Sequence, residues 1–251
     1  MNFDDVTAIQ IPEGNVKSIA IGGVTVWEAP VVDKYTWDAV FASIDKGTYA
    51  TEYAIGDMVP LDLGSEGIIN MQIIAFDADD LADGSGKAPI TWIAKELLAT
   101  EYRWNPRRVT NDDGTYQEGT GTIGGWEKCE MRTYLKETIK PLIPEVVRNS
   151  IKEVTKIQTA YDTAGKSFSQ TSIEDVWLPA SSEMFDSSSP YKTMFPDNNS
   201  RQKSKVGDTS SSMWILRNAV YYNNVGMVYE DGSDSSGSVS GSYCVAVGFC
   251  T

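Results

Sequence analysis

Apolar residues fall in short runs along this chain, and their spacing predicts many strands and few helices. Near the N-terminus, apolar-polar alternation at residues 8–11, 16–21 and 24–27 predicts a β meander. The turn signals Pro12-Glu13-Gly14-Asn15 and Gly22-Gly23 separate its strands, and residues 28–30 read as a linker. Trp37, Val40, Phe41 and Ile44 then recur at helical spacing within residues 35–46, with Thr36 as N-cap and Gly47 as stop. Continuous apolar runs at residues 68–76 and 89–93 predict buried strands. Residues 105–125, rich in Gly, Thr, Asn and Asp, predict a long loop.

Residues 126–151 return to a helical pattern, with Trp126, Cys129, Leu135 and Ile139 close to one face. Pro141 is expected to open a second helix over residues 142–150. Strands are predicted at residues 154–160 and 175–178, and a short serine-capped helix at 181–185. Residues 186–212, mostly Ser, Asn, Asp and Lys, predict a surface loop. The pattern as a whole predicts an α+β fold with two central helices and short antiparallel strands. A 1–30 β attachment module is expected to precede a 31–251 main domain.

The last stretch has its own pattern. Residues 213–216 and 244–250 are apolar and predict buried strands, while the residues between them are largely Tyr, Asn, Asp, Ser and Gly. Tyrosine gives rigid amphipathic contact area at low entropy cost, and Ser, Gly and Asn give adaptable hydrogen bonds, as in antibody paratopes. The expected ligand-binding residues are Asn218, Tyr221, Tyr222, Asn223, Asn224, Tyr229, Glu230, Asp231, Asp234, Ser236, Ser240 and Tyr243. A Ser/Gly-rich hairpin set without a partner would carry the same composition. Trp214, Leu216, Val247 and Phe249 are expected to be framework, and Arg217 to form a structural ion pair.

Composition narrows the functional classes. The formal net charge is −14, which repels phosphate backbones and anionic membrane surfaces, so nucleic-acid binding is not expected. No apolar run approaches the ~20 residues needed to span a bilayer, so membrane insertion is not expected either. The N-terminus lacks a basic region followed by an apolar core, so synthesis in the cytoplasm without a signal peptide is expected. The chain has no histidine, which removes Ser-His-Asp and Cys-His nucleophile systems and His-metal sites. Its three cysteines do not make a disulfide scaffold and are expected as buried thiols, Cys129 on a helix and Cys244 and Cys250 on one side of the final strand. The acidic residues 77–84 fail the EF-hand pattern at Leu81 and lack a closing Glu. That loop is expected to be a solvated turn, and nearly all carboxylates to be solvated charge. No cofactor, metal or catalytic residue is expected.

Four segments carry a resemblance. Trp126-Glu127-Lys128-Cys129-Glu130-Met131-Arg132-Thr133-Tyr134-Leu135, Asp175-Val176-Trp177-Leu178-Pro179-Ala180-Ser181-Ser182-Glu183-Met184-Phe185, Trp214-Ile215-Leu216-Arg217 and Ala246-Val247-Gly248-Phe249-Cys250 match, in order and spacing, a phage and bacterial domain family. The match spans about residues 50–251 and departs at Ile215, where Trp is usual, and at Asn218, where Ser is usual. The family is similar to the C-type-lectin-like fold, in the branch shared with formylglycine-generating enzymes and with the retroelement-diversified variable proteins of phage tail fibres. Residues 16–27 resemble a short module that opens many virion proteins. The resemblance implies a phage or prophage tail-tip or receptor-binding protein, located in the virion and binding a host cell-surface glycan or protein. It also implies attachment to other tail proteins through residues 1–30 and a homotrimer. An enzyme acting on cell-wall glycan and a purely structural virion subunit are the alternatives.

Overall fold

A computed structural model describes residues 18–21, 24–28 and 33–251. The chain divides into two compact units, Met1–Lys34 and Tyr35–Thr251. In the first, β1 (Ser18–Ile21) and β2 (Val24–Glu28) pair antiparallel, with Ile19 opposite Trp27 and Ile21 opposite Val24. The strand expected at residues 8–11, the turn at 12–15, the Gly22-Gly23 corner and linker residues 29–30 lie outside the described residues. Glu28, expected in the linker, closes β2.

The second unit is mixed α+β and dominated by antiparallel sheet. Its strands are β3 (Met58–Asp62), β4 (Ile68–Phe76), β5 (Ile90–Ala94), β6 (Tyr102–Arg103), β7 (Val154–Tyr161) and β8 (Ser167–Glu174). They continue with β9 (Val176–Trp177), β10 (Trp214–Tyr221), β11 (Asn224–Val228), β12 (Asp234–Ser238), β13 (Ser242–Tyr243) and β14 (Gly248–Cys250). The central sheet runs β3-β4-β5-β14-β9, so the C-terminal strand lies between β5 and β9. Apolar side chains leave this sheet on both faces. Met71, Trp92 and Phe249 enter one buried cluster, while Ile74, Ile93 and Cys250 enter a second with Trp177 and Trp214. A sheet buried on both faces explains why its strands read as unbroken apolar runs rather than as alternation. Cys244 also joins the second cluster, and all three cysteines are buried free thiols.

Helices are short. α1 (Trp37–Lys46) starts where Thr36 accepts the Ala39 amide and ends at Gly47, whose φ of 68° is left-handed. It is followed by α2 (Tyr49–Glu52). The helix expected over 126–151 is broken. A 3₁₀ turn at Trp126–Lys128 comes first, then α3 (Glu130–Tyr134), a π turn at Leu135–Ile139 and α4 (Lys140–Leu142). Cys129 precedes α3 as its N-cap, with Sγ accepting the Arg132 amide at 3.3 Å, so it is not within the helix. Pro141 sits inside α4 rather than opening a new helix. It lacks an amide hydrogen, and the widened π turn just before it absorbs the mismatch. Pro144 instead precedes α5 (Glu145–Arg148), and Ile143 before it is extended, the conformation favoured ahead of a proline.

α6 (Ser181–Phe185) is capped by Ala180, not by serine. Glu183 Oε2 accepts the Ala180 amide at 2.8 Å, while Ser181 turns its amide and hydroxyl to Asn218. α7 (Asn198–Arg201) lies in the stretch expected to be a surface loop. That expectation is corrected, because Tyr191, Phe195, Arg201 and Lys203 within it are buried. The serines and asparagines between these residues hide their spacing from a composition reading.

The carboxylates are not all solvated. Asp79, in the acidic loop, is buried, and its Oδ1 accepts Lys156 Nζ at 2.6 Å. Tyr191 donates to the same carboxylate, and Lys156 Nζ stands 3.6 Å from the centre of the Trp177 ring. Glu183 accepts both Arg217 Nη1 at 2.5 Å and Nη2 at 2.7 Å, and Lys156 Nζ reaches it at 3.3 Å. Burial alone would raise the Glu183 carboxyl, but the Arg217 and Lys156 charges outweigh it and hold it below the ordinary glutamate value. Asp79 is likewise held down against its burial by Lys156. These bonds tie β7, α6 and β10 together, and Arg217 has the structural ion-pair role expected of it.

Lys203 is buried with a single acceptor, the Ala94 carbonyl at 2.6 Å. Burial, reinforced by Lys95 and opposed by Glu96, lowers its ammonium to about 7. Below that value the folded and unfolded chains both carry the proton. Between about 7 and the ordinary 10.5 only the unfolded chain holds it, so stability rises with pH across this window. Urea unfolding of Lys203→Met through the same window is expected to show a flatter pH dependence than the parent. An equal slope in both proteins would assign the rise to other groups.

Candidate functional site

The terminal region folds as a three-stranded sheet in the order β10-β11-β12. Its middle strand is buried: Val225 joins the first core cluster, Val228 the second, and Met227 between them is 2% exposed. The polar stretch therefore contains its own apolar strand, which a composition reading treats as display surface. The register places Asn224 opposite Ser238 and Val228 opposite Asp234. This separates the expected binding residues into two groups at opposite ends of β11.

At one end lie Tyr221, Tyr222, Asn223 and Asn224, with Ser240 close by, since the neighbouring Val239 amide donates to the Asn223 carbonyl at 2.8 Å. At the other lie Tyr229, Glu230, Asp231 and Asp234. Ser236 is exposed on β12 opposite Gly226. Tyr243 is half-buried, packs on the first core cluster and pairs with Tyr102 of β6. Asn218 is a correction. It is only 9% exposed, and its Oδ1 accepts both the Ser181 amide and hydroxyl, so it joins α6 to β10 rather than facing a ligand.

The first end is a tyrosine cluster built from three segments. Tyr221 is 57% exposed, and its ring centroid lies 4.2 Å from that of Tyr222. Tyr222 meets Tyr161 of β7 edge-on at 5.4 Å and Tyr116 of the 105–125 loop at 6.1 Å. The Arg108 guanidinium lies 4.1 Å from the Tyr116 ring centre and 4.6 Å from that of Tyr222. Its Nη1 is buried and has no hydrogen-bond acceptor, so the ring faces are what it meets.

The backbone beneath the rings is pinned. Thr122 donates its amide to the Tyr222 carbonyl and its hydroxyl to the Tyr221 carbonyl, both at 2.9 Å. The Arg108 amide donates to Asn223 Oδ1 at 2.9 Å, and Tyr161 OH donates to the Val220 carbonyl at 3.0 Å. Gly121, at a φ of 57°, allows this close approach, because a Cβ there would fall 2.4 Å from the Tyr222 oxygen. Partial burial, then Tyr222 and Tyr221, raise the Tyr161 phenol above its ordinary value.

Sequence reasoning missed Arg108, Tyr116 and Tyr161. Tyr116 lies among Gly, Asn, Asp and Thr, the same composition that marks the terminal stretch, and that was the available signal. Tyr161 and Arg108 carry none, since only the tertiary fold brings them to Tyr222.

The second end borders an open cavity of about 300 Å³ that includes Glu101, Lys205, Glu230, Tyr243 and Cys244 in its lining. Lys205 pairs with Glu101, and burial raises the Cys244 thiol above its ordinary value. Asp231 accepts the Ser233 amide and hydroxyl in a turn, and these bonds lower its carboxyl. Among the described residues no three His, Cys, Asp or Glu side chains come together to hold a metal ion.

The family model for DUF6273, a domain of unknown function, matches residues 92–251, which include β5 from Trp92 on, the whole terminal sheet and every residue of the tyrosine cluster. The chain belongs to the DUF6273 family. No curated protein and no solved structure matches it. The DUF6273 region thus supplies both the frame and the exposed rings. β3 and β4, which complete the central sheet, precede it.

Proposed function

We propose that this chain is a ligand-binding module with a C-type-lectin-like main domain, and that it serves as a phage or prophage tail-tip or receptor-binding protein. The observation that carries the reading is the tyrosine cluster. Its rings stand on a backbone pinned from three segments, so binding would cost little ordering entropy. The four-segment resemblance supports the tail-tip assignment and the virion location, with a host cell-surface glycan or protein as ligand. Residues 1–30 would hold the module to another tail protein. Among the described residues no helix is long and apolar enough to cross a membrane.

The test is binding of the full chain to intact cells of the bacterium whose phage or prophage carries the gene. Tyr221→Ala with Tyr222→Ala is expected to weaken binding by about 1–2 kcal/mol, roughly 5- to 30-fold. Asp231→Ala, at the opposite end of the sheet, is expected to leave it nearly unchanged. If the Asp231 variant loses binding and the tyrosine variant does not, the ligand meets the cavity end, and this assignment of the site fails.

A further inference from the structure

Arg108 brings a positive charge to the tyrosine cluster, and among the described residues no carboxylate lies within ion-pair distance of it. Carboxylates outnumber Lys and Arg by 35 to 21 in this chain, so a cation left without one stands out. The carboxylates on the adjoining segments are engaged elsewhere. Asp113 accepts the Thr115 amide, Asp162 accepts the Ala164 and Lys166 amides, and Glu118 faces Lys128. Nη1 of Arg108 is buried against the rings. Nε and Nη2 also lack an acceptor among the described residues, but unlike Nη1 they reach solvent. These two nitrogens lie side by side and form the fork with which arginine grips a carboxylate or a phosphate. Arg103 shows that grip in the same chain: Nε donates to Glu130 Oε2 at 2.7 Å and Nη2 to Oε1 at 3.1 Å.

Taking the tyrosine cluster as the binding site, as proposed above, we infer that its ligand is an acidic saccharide. The carboxylate or phosphate of the sugar pairs with the Arg108 fork, and a C–H face of the sugar lies on the exposed Tyr221 ring, whose face carries the negative lobe of the ring quadrupole. The Tyr116 and Tyr222 rings hold the guanidinium in place before the ligand arrives, so little ordering is left to binding. The backbone argues against an extended peptide, which binds by pairing with main-chain groups. The Val220 carbonyl is taken by Tyr161, and those of Tyr221 and Tyr222 are taken by Thr122. Side chains are what this surface offers, and they combine aromatic faces with one unpaired guanidinium edge.

The experiment is retention of the full chain on beads that carry glucuronic acid, glucose 6-phosphate, glucose or a glutamate peptide. Retention is expected on an acidic sugar and not on glucose, and the two acidic beads tell carboxylate from phosphate. Acidic beads repel a chain of net charge −14, so retention on them reports a local contact. Arg108→Gln is expected to weaken retention at least about tenfold, the loss of one charge-assisted contact. A thermal melt checks that the variant folds. If it does not, Arg108→Lys, which keeps the charge by the rings but loses the fork, takes its place and is expected to weaken retention as well. The inference is overturned by a parent that no acidic sugar retains, by equal retention on glucose, by retention on the glutamate peptide alone, or by folded variants retained like the parent. Cell binding by the same proteins separates the two proposals. Binding that needs Tyr221 and Tyr222 but not Arg108 sinks the acidic saccharide and leaves the binding site standing. Arg108-dependent retention on an acidic sugar without tyrosine-dependent cell binding keeps the sugar site and sinks the receptor-binding role.

Discussion

Glu183→Ala is expected to cost about 3–5 kcal/mol of folding stability, the range for breaking one side of a buried ion pair. Glu183 accepts both terminal nitrogens of Arg217, which is fully buried, and the Ala180 amide that starts α6. Removing it leaves the Arg217 guanidinium with Gln158 and two backbone carbonyls as acceptors and no carboxylate in direct contact. Lys156 would keep Asp79 but lose its second carboxylate. Against a total stability of roughly 5–15 kcal/mol this is a large fraction. Urea unfolding should show a lower midpoint with an unchanged slope. A loss under about 1 kcal/mol would mean that the network is incidental to the frame. The pH dependence has a definite sign. Glu183 and Asp79 are both held below their ordinary values in the folded chain. Their contribution is therefore complete above the ordinary carboxylate range and is lost as pH falls through it toward the folded values. The Glu183 variant should lose less stability on acidification than the parent.

Trp214→Ala is expected to be comparably damaging, at roughly 3–5 kcal/mol, because it opens a cavity where the side chain is fully buried. Trp214 opens β10, packs in the second cluster with Leu216, Val228 and Cys244, and donates Nε1 to the Arg201 carbonyl at 3.2 Å. In a domain of this size the melting temperature should fall by roughly 6–20 °C. Binding per folded molecule should survive, since Trp214 lies at the end of β10 away from Tyr221. A variant that melts like the parent would show that β10 is not anchored through this ring.

Legibility in the sequence followed the local rules and stopped where tertiary packing took over. α1, with Thr36 and Gly47 at its ends, and β4 were plain because capping and apolar runs are local signals. β8 was not, since Ser167–Glu174 is mostly polar and is a strand by virtue of pairing with β7. β3 carries Pro60, which reads against a strand, but β3 is an edge, where proline is tolerated. The terminal stretch was legible as strand, polar middle and strand. Its division into two ends was not, because the register that separates Tyr221 from Asp234 depends on Val225, Met227 and Val228, three apolar residues among many polar ones. Asn218 looked like a surface residue by type. Its burial depends on α6, whose Ser181 lies 37 positions away.

The central claim is that the tyrosines at one end of the terminal sheet bind a ligand and do not hold the fold. Thermal melting and cell binding of the Tyr221→Ala, Tyr222→Ala protein, measured on the same sample, test it most directly. Binding should fall roughly 5- to 30-fold. The melting temperature should fall much less than in the Trp214 variant, because Tyr221 is exposed and Tyr222 only partly covered. A large loss of melting temperature with binding per folded molecule intact would make the two tyrosines part of the frame and contradict the account.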